Sequence, residues 1–190
     1  MSYRGTDRDV SQSLFYWPLA SGVNPIHRGE WDHAGGTGDI VLGQLAAVLR
    51  EALEGSPERW SYFTDSGQKG GILRHADAAH SGRHVAPVSG TSIAAHVHHV
   101  AWGMDATAAW IRGDRKARDW KESWKITSVN EEAWTRLAGE LRRQYDHLRQ
   151  TIQSHALDGE EAFGGALGAL AHLAYHLGAV RQKIALLHRR

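Results

Sequence analysis

Trp134-Thr135-Arg136-Leu137-Ala138-Gly139-Glu140-Leu141-Arg142-Arg143-Gln144-Tyr145-Asp146-His147-Leu148-Arg149-Gln150-Thr151-Ile152 is the stretch that decides the fold class. Trp134, Leu137, Leu141, Tyr145, Leu148 and Ile152 recur at steps of three and four residues, with charged side chains between them. That spacing lines the apolar residues along one stripe of an α-helix and turns the opposite face to water. Just ahead of the stretch, Ser128 and Glu131 have the spacing of a capping box.

Working outward, three further helices follow from the same kind of pattern. Downstream, a helix runs from about Glu160 to Leu187 although Gly164, Gly165, Gly168 and Gly178 weaken it. Their use there is expected to be close approach of a neighbouring helix. Upstream, Ile93, Val97, Val100, Met104, Ala108 and Ile111 trace a core stripe that starts at Thr91 or Ser92. Earlier still, Ile40, Leu42, Leu45, Val48, Leu49, Ala52 and Leu53 follow a cap at Thr37 or Asp39, and Gly55 and Pro57 end the run.

Two long connections separate these segments. Residues 55–91 lack clear periodicity apart from a short helix around Ile72 to Ala79, a length that often serves function. In the second connection Arg115, Lys116, Arg118, Lys121 and Lys125 are largely balanced by Asp114, Asp119 and Glu122. Trp120 and Trp124 are expected to pin it to the helices, and the balanced charge argues against single-stranded nucleic acid. Residues 1–36 carry Leu14, Phe15, Tyr16, Trp17 and Trp31, too many apolar groups for a free tail, so this arm is expected to pack on the domain or on a partner subunit. The sum is an all-α chain: an up-down four-helix bundle over residues 37–190, with an N-terminal arm over 1–36 and long connections between helices one and two and between two and three.

Composition narrows the chemistry. The chain of 190 residues has a formal net charge of +1 and no cysteine. Disulfides, thiolate metal ligands and a cysteine nucleophile are excluded, which leaves histidine and carboxylate for any coordination. The near-neutral charge gives no electrostatic footprint for nucleic acid. The N-terminus has no apolar signal-like region, and no uncharged apolar run of membrane-spanning length is expected, so a cytoplasmic protein without a membrane segment is the reading.

Histidine is abundant, at 13 residues, and at that density roughly one pair spaced i, i+4 arises by chance. Context separates the pairs. His80 and His84 lie in His-Ser-Gly-Arg-His, close before Pro87, and read as loop. His172 and His176 lie in Ala171-His172-Leu173-Ala174-Tyr175-His176-Leu177-Gly178, where both rings project from one helix face one turn apart. Such a pair is either a metal grip or two core histidines hydrogen-bonded to a facing helix. A third ring is available from Ser92-Ile93-Ala94-Ala95-His96-Val97-His98-His99-Val100, in which His96 and His99 share a face and His98 is expected to point to solvent. Three neutral imidazoles leave one position of a zinc-like ion open, as catalytic sites do.

The two motifs together resemble the DinB/YfiT-like superfamily of metal-dependent four-helix proteins. His172-Leu173-Ala174-Tyr175-His176-Leu177-Gly178 is similar to that family's H-x-x-x-H-x-G on the last helix, and Ser92-Ile93 leading to His99 is similar to its S-I followed by one histidine on helix two. The likeness covers roughly residues 37–187. It implies that His99, His172 and His176 bind one divalent metal ion, zinc or nickel, with His96 in reserve for His99. It also implies a homodimer and a small-molecule substrate, a low-molecular-weight thiol activated for transfer to an electrophile. Ala179 and Leu177 stand where many members have Gln and Arg, so a role for those two side chains is not carried over. No catalytic residue is assigned; Asp105, Tyr175 and Arg181 are the candidates for substrate contact or ligand support. Two alternatives stay open, a hydrolase that uses an ion-acidified water and a non-catalytic, stress-related binding module.

Overall fold

The structure is a computed structural model and describes residues 37–56, 61–62, 64, 70–78, 90–155, 157 and 159–187. The N-terminal arm and the His80/His84 pair lie outside the described residues. Five α-helices and no strand occur among those described: α1 Thr37–Glu54, α2 Ile72–Ala78, α3 Ile93–Ile111, α4 Glu131–Ser154 and α5 Glu160–Leu187, with a short 3-10 helix at Trp120–Trp124.

The caps show why the helices begin where they do. Ser92, with extended backbone, accepts a hydrogen bond from the Ala95 amide at 3.0 Å and so caps α3. The capping box expected from Ser128 and Glu131 does not form: Asn130 caps α4, its side chain accepting from Ala133 N at 2.8 Å. Asn is among the strongest caps and stands immediately before the helix, so it takes the position two residues after Ser128. Gly71 lies against the C-terminal end of α1, where an added Cβ would stand 2.2 Å from the carbonyl oxygen of Leu53. Only glycine lets the two segments meet so closely.

α3 is the hub. It packs on α4, on α5 and on the 3-10 helix; α5 also meets α1, and α2 touches α1, α4 and α5. The short α2, a minor feature in the sequence, thus touches both α4 and α5, a pair that the up-down four-helix reading would have packed directly. One core runs through the assembly, with Leu53, Ile72, Ile93, Leu141, Leu148 and Leu173 almost wholly removed from water. Every apolar residue of the α4 stripe is buried in it.

Two features of this frame escape sequence patterning. Glu51, on the inner side of α1 and buried, accepts from the backbone amides of Tyr62 at 3.0 Å and Thr64 at 3.1 Å and from the Thr64 hydroxyl at 3.2 Å. A buried carboxylate satisfied in this way ties the first connection to α1 through charge-assisted bonds. The glycines of α5 also differ from expectation. Gly165 meets Trp110, 3.4 Å from an added Cβ, whereas Gly164, Gly168 and Gly178 have nothing within 4 Å among the described residues. Finally, residues 162–180 contain no Asp, Glu, Lys or Arg. The expectation that no such run exists is therefore corrected: α5 is long and apolar enough to cross a membrane by length and composition. A helix with one side packed on α1 and α3 passes the same test.

Candidate metal centre

α5 presents His172 and His176 toward α3, and α3 presents His96 and His99 toward α5. His176 is 3% exposed, His99 7% and His96 6%, while His172 is half-buried. The ring nitrogens converge. Nε2 of His172 lies 2.9 Å from Nε2 of His99 and 3.1 Å from Nε2 of His176. The sequence-predicted trio is thus brought together, and its three ligand atoms lie within 4.8 Å of one another.

Hydrogen bonding on the far sides of the rings fixes what those nitrogens carry. The hydroxyl of Ser123 donates to the carbonyl of Trp120 at 2.6 Å. Its oxygen is also 2.6 Å from Nδ1 of His99. With its one proton committed, Ser123 accepts, so His99 carries its proton on Nδ1 and keeps a lone pair on Nε2. Three Nε2 atoms then meet in one spot. A single shared proton cannot satisfy both short Nε2···Nε2 contacts, because a protonated Nε2 has no lone pair left to accept with. A cation satisfies all three. A tetrahedral ion with nitrogens at about 2.0–2.1 Å sets its ligand atoms about 3.3 Å apart. The 2.9 and 3.1 Å contacts need to open by only a few tenths of an ångström to reach that spacing, and the whole trio lies within 4.8 Å.

Electrostatics keep the lone pairs available. Burial, with the neighbouring rings adding to it, lowers His176 to about 3 and His99 to about 4. Burial and the nearby Lys183 lower His96 to about 4, and burial lowers His172. All four rings are neutral at physiological pH, the form in which imidazole binds metal.

The crossover roofs this cluster. Trp124 stacks on His99 with ring centroids 4.0 Å apart and an interplanar angle of 21°. Trp120 approaches His99 at 5.9 Å and His172 at 6.4 Å. The tryptophans do pin the connection, as the sequence suggested. His98 does not point to solvent: it is half-buried, and Nδ1–H donates to the carbonyl of Ser123 at 2.7 Å. His98 and His99 together clasp one residue of the 3-10 helix. No local pattern marks Ser123, since its partners lie 24 and 25 residues away.

Gly103, one turn after His99, leaves room for His172. A Cβ there would stand 2.9 Å from Cε1 and 3.1 Å from Nδ1 of that ring. Of the other candidates, Asp105 is held by Arg118 at 2.5 Å. Tyr175 is 71% exposed and touches His176 edge-on. Arg181 is half-buried one turn beyond His176. No carboxylate joins the histidine group among the described residues.

Comparison of the chain with known protein families, curated proteins and solved structures gives no match. The likeness to DinB/YfiT-like proteins rests on the motif residues, and what the structure adds is an all-helical frame with a histidine triad able to hold a metal ion.

Proposed function

We propose that the chain binds one divalent metal ion, zinc or nickel, through Nε2 of His99, His172 and His176, and that it is a metal-dependent enzyme acting on a small thiol. One observation carries the reading: three imidazole nitrogens from two helices converge, with a lone pair on Nε2 of His99, where one shared proton cannot satisfy both short contacts. An ion held by His99, His172 and His176 would supply Lewis acidity that lowers the pKa of a small thiol, so that solvent could take its proton and no protein cysteine would be needed. The chain's own residues bind and orient. Ser123 holds the His99 tautomer, Gly103 gives His172 its place, and Trp120 and Trp124 shield the cluster from water. A water-activating hydrolase has less support, because no carboxylate joins the histidine group among the described residues. The thiol substrate and a homodimeric assembly belong to the same proposal and rest on the family likeness; a cytoplasmic location rests on the sequence.

Elemental analysis of the purified protein tests the ligand set. Near-stoichiometric metal is expected in the wild type and its loss in His172→Ala; full metal content in that variant contradicts the assignment. Transfer of a low-molecular-weight thiol to an electrophile, assayed with and without chelator, then separates the enzyme from a non-catalytic metal-binding module.

A further inference from the structure

His96 is the histidine that the metal reading leaves over. Its Nδ1 lies 2.8 Å from Nδ1 of His176, and its Nε2 lies 2.9 Å from Oγ1 of Thr91. Trp124 stands edge-on to the ring at 5.5 Å, and Lys183 is also nearby. Thr91 is exposed, at the start of α3, so the three residues form a hydrogen-bonded chain from solvent to the back of a proposed ligand.

The short contact between two Nδ1 atoms holds one proton. A neutral His176 that offers its Nε2 lone pair to an ion must carry its own proton on Nδ1. That Nδ1–H donates to Nδ1 of His96. His96, also neutral, then carries its proton on Nε2 and donates to Thr91, whose hydroxyl proton is left for solvent. The reverse direction uses the same atoms: Thr91 donates to Nε2 of His96, and Nδ1–H of His96 donates to Nδ1 of His176. In that arrangement the His176 proton sits on Nε2 and blocks the ligand position. Both arrangements have the same protons and the same charge.

We infer that His96 is a positioning residue of the metal site, an imidazole acceptor in the place where metal-bound histidines usually meet a carboxylate or carbonyl, and that ion binding sets the direction of the Thr91–His96–His176 chain. The inference rests on the metal reading above and deepens it. His96 acts through His176 and is not a fourth ligand, because both of its nitrogens are engaged away from the three converging Nε2 atoms. Loss of such a partner ordinarily lowers metal affinity by about 10–100-fold.

The test uses the full chain with Co²⁺ as probe, its affinity measured by competition against a chromophoric chelator. H96L is expected to bind about 10–100-fold more weakly than wild type. H96N, whose amide oxygen stands close to where Nδ1 stood, is expected to recover most of that loss. Long-range ¹H–¹⁵N spectra of the zinc-loaded wild type are expected to show His176 protonated on Nδ1 and His96 on Nε2, a readout that does not depend on whether either variant folds. Wild-type affinity in H96L overturns the inference, as does a proton on Nδ1 of His96 in the zinc form. An H96N as weak as H96L also overturns it, by reducing His96 to a packing role. Failure of the wild type to take up Co²⁺ is a different result: it removes the metal reading itself and the inference with it.

Discussion

α4 and α5 both pack on α3, yet they are built on different rules. α4 buries Trp134, Leu137, Leu141, Tyr145, Leu148 and Ile152 and turns residues such as Arg136, Arg142 and Arg143 to water. α5 buries Ala166, Ala169, Leu173 and Leu177 together with His176 and Lys183, and its outer side shows Gly164, Leu167, Gly168 and Tyr175. One helix is an amphipathic core element, and the other trades apolar burial for imidazoles held in a set geometry. The difference teaches how the two neighbours of α3 divide their work: both pack apolar residues into the core, and α5 alone adds imidazoles to the candidate metal centre.

The sharpest way to break that division is Leu141→Ala. Leu141 is 0% exposed, and a cavity at such a site costs about 2–5 kcal/mol. Denaturant unfolding is expected to show that loss, while metal stoichiometry under native conditions is unchanged. If Leu141→Ala strips the metal while the fold remains intact, core and site are not separable in this way.

Gly103→Ala probes the other side of α3. The added methyl meets the His172 ring, a side chain that can swing, and not backbone. Co²⁺ affinity is expected to fall about 10-fold or more, since ligands must sit within about 0.5 Å of their productive positions. The midpoint of unfolding should hold or rise, because Ala in a helix interior is favoured over Gly by about 0.5–1 kcal/mol. An unchanged affinity would show that His172 is not confined by α3.

Acid gives the most graded test. His96 and His99 titrate near 4 in the fold and His176 near 3, against an ordinary value of 6.5. As pH falls below 6.5 the unfolded chain takes up protons that the folded cluster refuses, so these rings favour folding above 6.5 and that advantage drains away toward pH 4 and 3. Thermal unfolding of metal-free protein is expected to show that decline, and a variant with His99 and His176 both replaced by Leu is expected to flatten it. A wild-type curve without slope between pH 6.5 and 4 would mean that the rings are not desolvated as described.

The contrast between α4 and α5 also explains what was legible in the sequence. α4 is visible because period and charge agree along its whole length, and only its cap was misplaced, from Asn130 to Ser128. α5 carries no charged residue over 162–180, so periodicity says little about which side is buried, and the histidine motif is the signal that marks the inner face. The choice of His99 over His96 needed the family likeness, because both lie one turn apart on α3. Coordinates separate them by what their far nitrogens meet, Ser123 for His99 and Thr91 for His96. Ser123, Gly103 and Glu51 were unreadable for one reason: each acts on a partner brought near only by tertiary folding.

X-ray absorption at the metal edge of the zinc-loaded protein tests the central claim most directly. The account predicts three imidazole nitrogens at roughly 2.0–2.1 Å and one further light ligand, with the imidazole signature lost in His172→Ala. A shell of oxygen ligands alone, or a signature unchanged in that variant, would contradict it.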